Sequence, residues 1–131
     1  MSALLNIDVP DIAAAERFYT TAFGLTVGRR FDAEFVELVG WPTPVYLLQK
    51  AAGTLGAGGD HRRYDRHWTP IHPDILVEDL DAALARAVAA GALVEAAPCT
   101  APYGRIAMLA DPFGHGFCLI EFNAEGYDAL L

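Results

Sequence analysis

The sequence predicts an α+β fold made of two tandem βαβββ modules. Three observations predict it. A strand–cap–helix–glycine unit occurs twice at one period. Three strand-like segments follow each of the two helices. A stretch rich in glycine and charge separates the two halves.

The first unit is "LLNIDVPDIAAAERFYTTAFGLTV", residues 4–27. Leu5, Ile7 and Val9 alternate with Leu4, Asn6 and Asp8, which is the two-residue period of a strand. Asp11 is placed to cap a helix, and Ile12, Ala15, Phe18, Tyr19 and Ala22 recur at helical spacing. Gly24 ends that helix, because a residue without a Cβ enters the left-handed region at no steric cost. "LTVGRRF", "EFVELVG" and "PVYLLQK" complete the module.

The second unit is "IHPDILVEDLDAALARAVAAGALV", residues 71–94. Ile75 and Val77 alternate with Asp74 and Leu76; Asp79 caps; Leu80, Ala83, Ala87 and Val88 form the apolar stripe; Gly91 terminates. Asp11 and Asp79 lie 68 residues apart, and Gly24 and Gly91 lie 67 apart, so the halves read as an internal duplication. "ALVEAAP", "GRIAMLAD" and "GFCLIEF" follow. "AAGTLGAGGDHRRYDRHWTP" reads as a loop between the halves. The tail "NAEGYDALL" is expected to form a short helix or to pack on a partner.

The chain has 131 residues, the size of one compact domain. A single domain over 1–131 is expected, with module one at 1–50, module two at 70–123, a linker at 51–69 and a tail at 124–131. Hydrophobic residues make up 53%, which argues against extended disorder. The net charge of −8 and pI near 4.7 argue against nucleic acid and anionic membrane as partners, since both select a basic footprint. No apolar run approaches the roughly 18 residues of a membrane span. "MSALLNIDVPD" has no basic segment leading into a long apolar one, so a cytoplasmic location is expected. Cys99 and Cys118, with no CxxC, are expected to be free thiols.

"VPDIAAAERFYTTAFGL", "VEDLDAALARAVAAGA" and "LADPFGHGFCLIEF" resemble the corresponding segments of the vicinal oxygen chelate superfamily. That superfamily includes glyoxalase I, bleomycin-resistance proteins, fosfomycin-resistance enzymes and extradiol dioxygenases. The resemblance covers nearly the whole chain. It implies a curved, partly closed mixed sheet with the helices outside, a ligand on the concave face, and a homodimer. It also implies, in catalytic members, a divalent ion acting as Lewis acid, held from the first and last strands of each module. Carried onto this chain, those positions are Leu4, Leu47, His72 and Cys118. Leucine has no donor atom, and one imidazole with one thiol does not make an oxygen-rich octahedral centre. A slip of one residue at Leu4 or Leu47 still supplies no His or Glu. No metal and no cofactor are therefore expected.

Strand alternation nominates the residues of a ligand face: Asn6, Phe35, Glu37, Leu47, Gln49, His72, Asp74, Arg105 and Cys118, with Tyr103 at its rim. Plainer roles compete for several of them. His72 can be satisfied by Asp74 or a carbonyl, Arg105 can pair with Glu37 or Asp74, and Cys118 suits a small buried hydrophobe better than a nucleophile. His115 belongs to turn chemistry in "DPFGHG". "HRRYDRHW", residues 61–68, reads as a solvated basic loop, with a flap over an anionic ligand as the alternative. Together these features point to a metal-independent small-molecule binding protein resembling the bleomycin-resistance type. The alternative is a glyoxalase-like lyase or isomerase acting on a small α-oxygenated substrate, with His72, Asp74 or Glu37 as acid or base. A purely structural role predicts a cavity filled by Phe35, Leu47 and Ile120.

Overall fold

The computed structural model describes residues 1–131, which fold as two compact units, 1–65 and 66–131. Unit one contains β1 (Leu5–Val9), α1 (Ile12–Phe23), β2 (Thr26–Arg30), β3 (Phe35–Val39) and β4 (Val45–Gln49). Its sheet runs β1-β4-β3-β2, with β1 parallel to β4 and the other pairs antiparallel. Unit two contains β5 (Asp74–Leu76), α2 (Leu80–Ala90), β6 (Leu93–Ala101), β7 (Gly104–Ala110) and β8 (Gly116–Phe122). Its sheet runs β5-β8-β7-β6 with the same pattern of directions. The α+β class and the two βαβββ modules are those expected from the sequence. The strands form two four-stranded mixed sheets, and neither closes into a barrel.

Each helix begins with the same pair of caps. Asp11 is extended (φ −141°) and its carboxylate accepts from the Ala14 N–H at 2.9 Å. Asp79 (φ −138°) accepts from Ala82 N–H at 2.9 Å. A second side chain reaches in from the end of the last strand. Gln49 Oε1 accepts from the Ile12 N–H (2.9 Å), and Glu121 Oε2 accepts from the Leu80 N–H (2.7 Å). Two of the donors that a helix start leaves unpaired are thus satisfied in both modules. Gly24 and Gly91 end the helices at positive φ.

α1 buries Ile12, Ala15, Phe18, Tyr19 and Ala22. Beneath it lie Val9, Val36, Leu38, Val45 and Leu47 of the sheet. α2 buries Leu80, Ala83 and Ala87 over Ala107, Leu109 and Leu119. Val88, expected in the α2 stripe, is exposed instead.

Register assigns the two faces of each sheet. Asn6, Tyr46 and Glu37 are directly paired neighbours, as are Ile7, Leu47 and Val36. Paired residues share a face, so Leu47 belongs with the helix-side core and Tyr46 with the face away from it. In unit two Asp74, Cys118 and Met108 are the corresponding row. Tyr46, not Leu47, is therefore the counterpart of Cys118. The short 3₁₀ turn at Gly126–Leu130 seats Tyr127 edge-on against Phe122 and Tyr103, at ring distances of 4.8 and 5.1 Å.

Candidate functional site

Unit one carries a pinned charge beneath an aromatic surface. Glu37 is buried on the face away from α1. It accepts from Arg29 Nη2 at 2.6 Å, Arg29 Nε at 2.9 Å, the Arg29 backbone N–H at 3.1 Å and the Tyr46 hydroxyl at 2.8 Å. Charge-assisted bonds to Arg29, then the bond from Tyr46, hold its pKa down at about 2 against burial. The Arg29 guanidinium, most of it in solvent, lies 5.1 Å over the Phe31 ring. Phe31 stacks on Phe35 at 4.4 Å with planes 30° apart, and Tyr46 tilts against Phe35 at 5.7 Å. Phe31 is about half exposed. A half-exposed stack of aromatic rings flanked by a cation is the result.

Unit two gathers a different chemistry. β5 places Asp74 directly across from Cys118 of β8, and His72 lies two residues before Asp74. His72 Nε2 lies 3.3 Å from Asp74 Oδ1. One donor atom from each of His72, Asp74 and Cys118 falls within 4.8 Å of the others. Cys118 is buried, whereas His72 and Asp74 are exposed. Burial first, then the hydrogen bond and charge of Asp74, push the Cys118 thiol up to about 11. His72 and Cys118 line a cleft of about 90 Å³ whose other walls include Trp68, Met108 and Phe117. The Trp68 ring stands 6.1 Å from that of His72. Arg66 closes one rim: it is bonded to Glu95 through both Nε and Nη2, and its guanidinium lies where a Cβ on Gly116 would fall, 2.6 Å from Nη2.

The other residues expected on the ligand face take several places. Asn6 is exposed beside Tyr46, and Phe35 is half-buried in the aromatic surface. Leu47 is fully buried on the helix side. Gln49 caps α1. Arg105 also points to the helix side, making two 2.9 Å bonds to Asp81 of α2 rather than pairing with Glu37 or Asp74. The reason is one residue of register: Ile106 and Met108, not Arg105 and Ala107, share a face with Cys118. Tyr103 packs on Phe122 and Tyr127 beside the β6–β7 turn. Asp111 is buried and accepts from the Phe113 and His115 N–H groups and the His115 ring, which fixes His115 within its turn. The basic loop is divided: Arg62 bonds Asp8 at 2.7 Å and the Leu55 carbonyl within unit one, while Arg66 serves unit two.

Sequence reasoning missed Arg29, Phe31 and Tyr46. The sequence signal for Arg29 and Phe31 was the polar–aromatic run "RRFDAEF" ahead of Glu37, while Tyr46 lay unremarked in the apolar segment "PVYLLQK". It anticipated the His72–Asp74 pair but missed that Asp74 also lies across from Cys118.

The glyoxalase-like domain family matches residues 5–120. The chain belongs to this family. It is thereby a member of the vicinal oxygen chelate superfamily. Among curated proteins, this glyoxalase-like domain is similar to the anthracycline biosynthesis protein DnrV of Streptomyces peucetius. The two are 39% identical over 121 residues, 90% of this chain but 40% of the relative's length. Among solved structures, the domain resembles the fosfomycin resistance protein FosX of Listeria monocytogenes, with a TM-score of 0.71, 16% identity, and 95% and 93% of the two chains covered. It also resembles TnmS3, an antibiotic binding protein from Streptomyces sp. CB03234, with a TM-score of 0.61, 22% identity, and 94% and 98% covered. At such identities these structures speak to the fold. The metal centre implied by the superfamily does not fit the residues of unit one. Leu4 has no donor, and the Tyr46 hydroxyl is committed to Glu37.

Proposed function

We propose that this chain binds small, flat aromatic molecules, and that binding does not run through the four-ligand metal centre of its superfamily. The observation that carries the reading is the Phe31–Phe35 stack with Arg29 held over it by the buried Glu37. Glu37 and Tyr46 fix the guanidinium, so a ligand meets a surface already in place and little ordering entropy is lost on binding. Similarity to an anthracycline biosynthesis protein and to an antibiotic binding protein supports a polycyclic ligand. The chain spans two fifths of that curated relative's length, so the relative's role bears on the class of molecule and not on a reaction. The 90 Å³ cleft of unit two is well below the roughly 300–1,000 Å³ of drug-sized sites and accommodates a fragment only. A cytoplasmic homodimer is part of the same proposal.

The test uses chelator-treated protein and a panel of anthracyclines, followed by their own fluorescence. Binding is expected at one ligand per chain. Phe31→Ala or Arg29→Met should weaken it by about threefold to tenfold, the loss of about 1 kcal/mol in stacking or cation–π energy. No binding across the panel, or binding indifferent to both substitutions, overturns the proposal.

A second reading, a glyoxalase-like lyase or isomerase, rests on the His72–Asp74 pair. Glu37 is a poor base at a pKa of about 2, which removes one of its three candidates. Turnover of a hemithioacetal that is lost in His72→Ala and Asp74→Asn supports this reading. Turnover that survives both excludes it.

A further inference from the structure

We infer that Arg29 is the specificity-determining residue of the aromatic surface in unit one, and that it selects uncharged ring systems with an acceptor oxygen at their edge, of the aryl ketone class. The inference rests on the proposed binding of aromatic molecules and names which of them this chain prefers. A β-bulge puts Arg29 in place. In the β2–β3 pairing Val27 lies across from Leu38, and Arg30 across from Val36. Gly28 and Arg29 therefore share one partner position, that of Glu37. In an unbroken ladder Arg29 would stand across from Val36, on the helix side of the sheet. The extra residue brings Arg29 to the face of Glu37 and Tyr46. It leaves the helix side to Arg30, which bonds Glu16 of α1 at 2.7 Å. A Cβ at position 28 would lie 2.7 Å from Glu37 Oε2, so a side chain there would displace the carboxylate that holds the guanidinium.

A guanidinium carries five N–H donors in a fixed fork. Nε and one N–H of Nη2 go to Glu37, and the other N–H of Nη2 goes to the Tyr46 oxygen at 3.2 Å. The two N–H groups of Nη1 keep no protein partner, on a side chain that is 66% exposed. They sit beside the half-exposed ring of Phe31, over which the guanidinium lies at 5.1 Å. A ring system resting on this surface meets fixed donors at its margin, and an acceptor oxygen there is what satisfies them. Charge decides which acceptor. Glu37, 2.6 Å from Arg29 Nη2, offsets the cation, and the whole chain carries a net charge of −8. The attraction of a carboxylate ligand to Arg29 is opposed at close range by Glu37. A neutral carbonyl takes the same N–H groups without that repulsion.

The experiment compares fluorene, fluorenone and the fluorene carboxylate substituted at the same carbon, three probes on one ring skeleton, by ligand-detected NMR with the full chain near neutral pH. Fluorenone is expected to bind roughly fivefold to tenfold more tightly than fluorene, and the carboxylate no more tightly than fluorenone. Arg29→Met should abolish the preference for fluorenone, whereas Arg30→Met should keep it. Glu37→Gln, which keeps size and leaves the Arg29 charge without its counter-ion, should shift the preference toward the carboxylate by roughly tenfold. Equal affinity for fluorene and fluorenone overturns the inference, as does a preference that survives Arg29→Met. The carboxylate binding tightest to the unaltered protein, or a ranking unmoved by Glu37→Gln, overturns the choice of an uncharged ligand. Equal affinities that fall together in Phe31→Ala overturn this inference and leave the proposed function standing. Absence of binding by all three probes overturns this inference, and the anthracycline panel then decides the proposed function separately.

Discussion

Glu37 shows how a single residue ties stability to pH. Its folded pKa of about 2 lies below its ordinary value of 4.5, so its contribution to stability is complete above pH 4.5 and is lost as pH falls toward 2. Arg29→Met removes the largest cause of that depression. The acid-unfolding midpoint, followed by circular dichroism, should then move to higher pH, while Arg30→Met should leave it nearly in place. Arg30 bonds the more exposed Glu16 and not Glu37. Cys118 illustrates the opposite shift. With the thiol pushed up to about 11, about one molecule in a thousand carries a thiolate at pH 8. Iodoacetamide should modify exposed Cys99 well before Cys118, as peptide mass mapping would show. Asp74→Asn removes a charge that opposes ionisation and should speed modification of Cys118.

At the scale of elements, the duplication is deeper than the sequence disclosed. The period of Asp11 and Asp79, and of Gly24 and Gly91, was legible because capping aspartates and left-handed glycines are confined to few residue types. The second cap was not legible. Gln49 and Glu121 are chemically different and lie some 40 residues from the helices they serve. Gln49→Ala and Asp79→Ala should each cost about 1 kcal/mol in denaturant unfolding. The β6–β7 turn is less tolerant. Gly104 sits at φ +141°, and a Cβ there would lie 2.0 Å from the Glu121 carbonyl oxygen. Gly104→Ala should destabilise unit two by about 3 kcal/mol or shift the strand pairing. Strand faces were the weak point of the sequence reading. In β4 the run Val45, Tyr46, Leu47 is buried throughout, so hydrophobicity alone does not say which side a residue takes. Leu47 was placed on the wrong face for that reason, and Arg105 through a one-residue shift of register in β7.

For the whole molecule, each unit has its own helix, sheet and core. The candidate chemistries divide the same way, with an aromatic and cationic surface in unit one and a thiol–imidazole–carboxylate trio in unit two. Fold class was legible because alternation, caps and a repeat agree. The sites were only partly legible, because they depend on which strands pair. Asp74 and Cys118 are 44 residues apart and meet through a parallel pairing that no local pattern announces. The proposed homodimer predicts twice the 14.1 kDa chain mass in sedimentation equilibrium, and a single-chain mass would exclude it. The glycine at position 116 has a consequence for how such a molecule diversifies. Its missing side chain is the berth of Arg66, so one added methyl group would evict the guanidinium from the rim of the cleft. What the cleft admits is thereby set by a residue with no chemistry of its own. Selection can retune access through that position while every reactive group stays where it is.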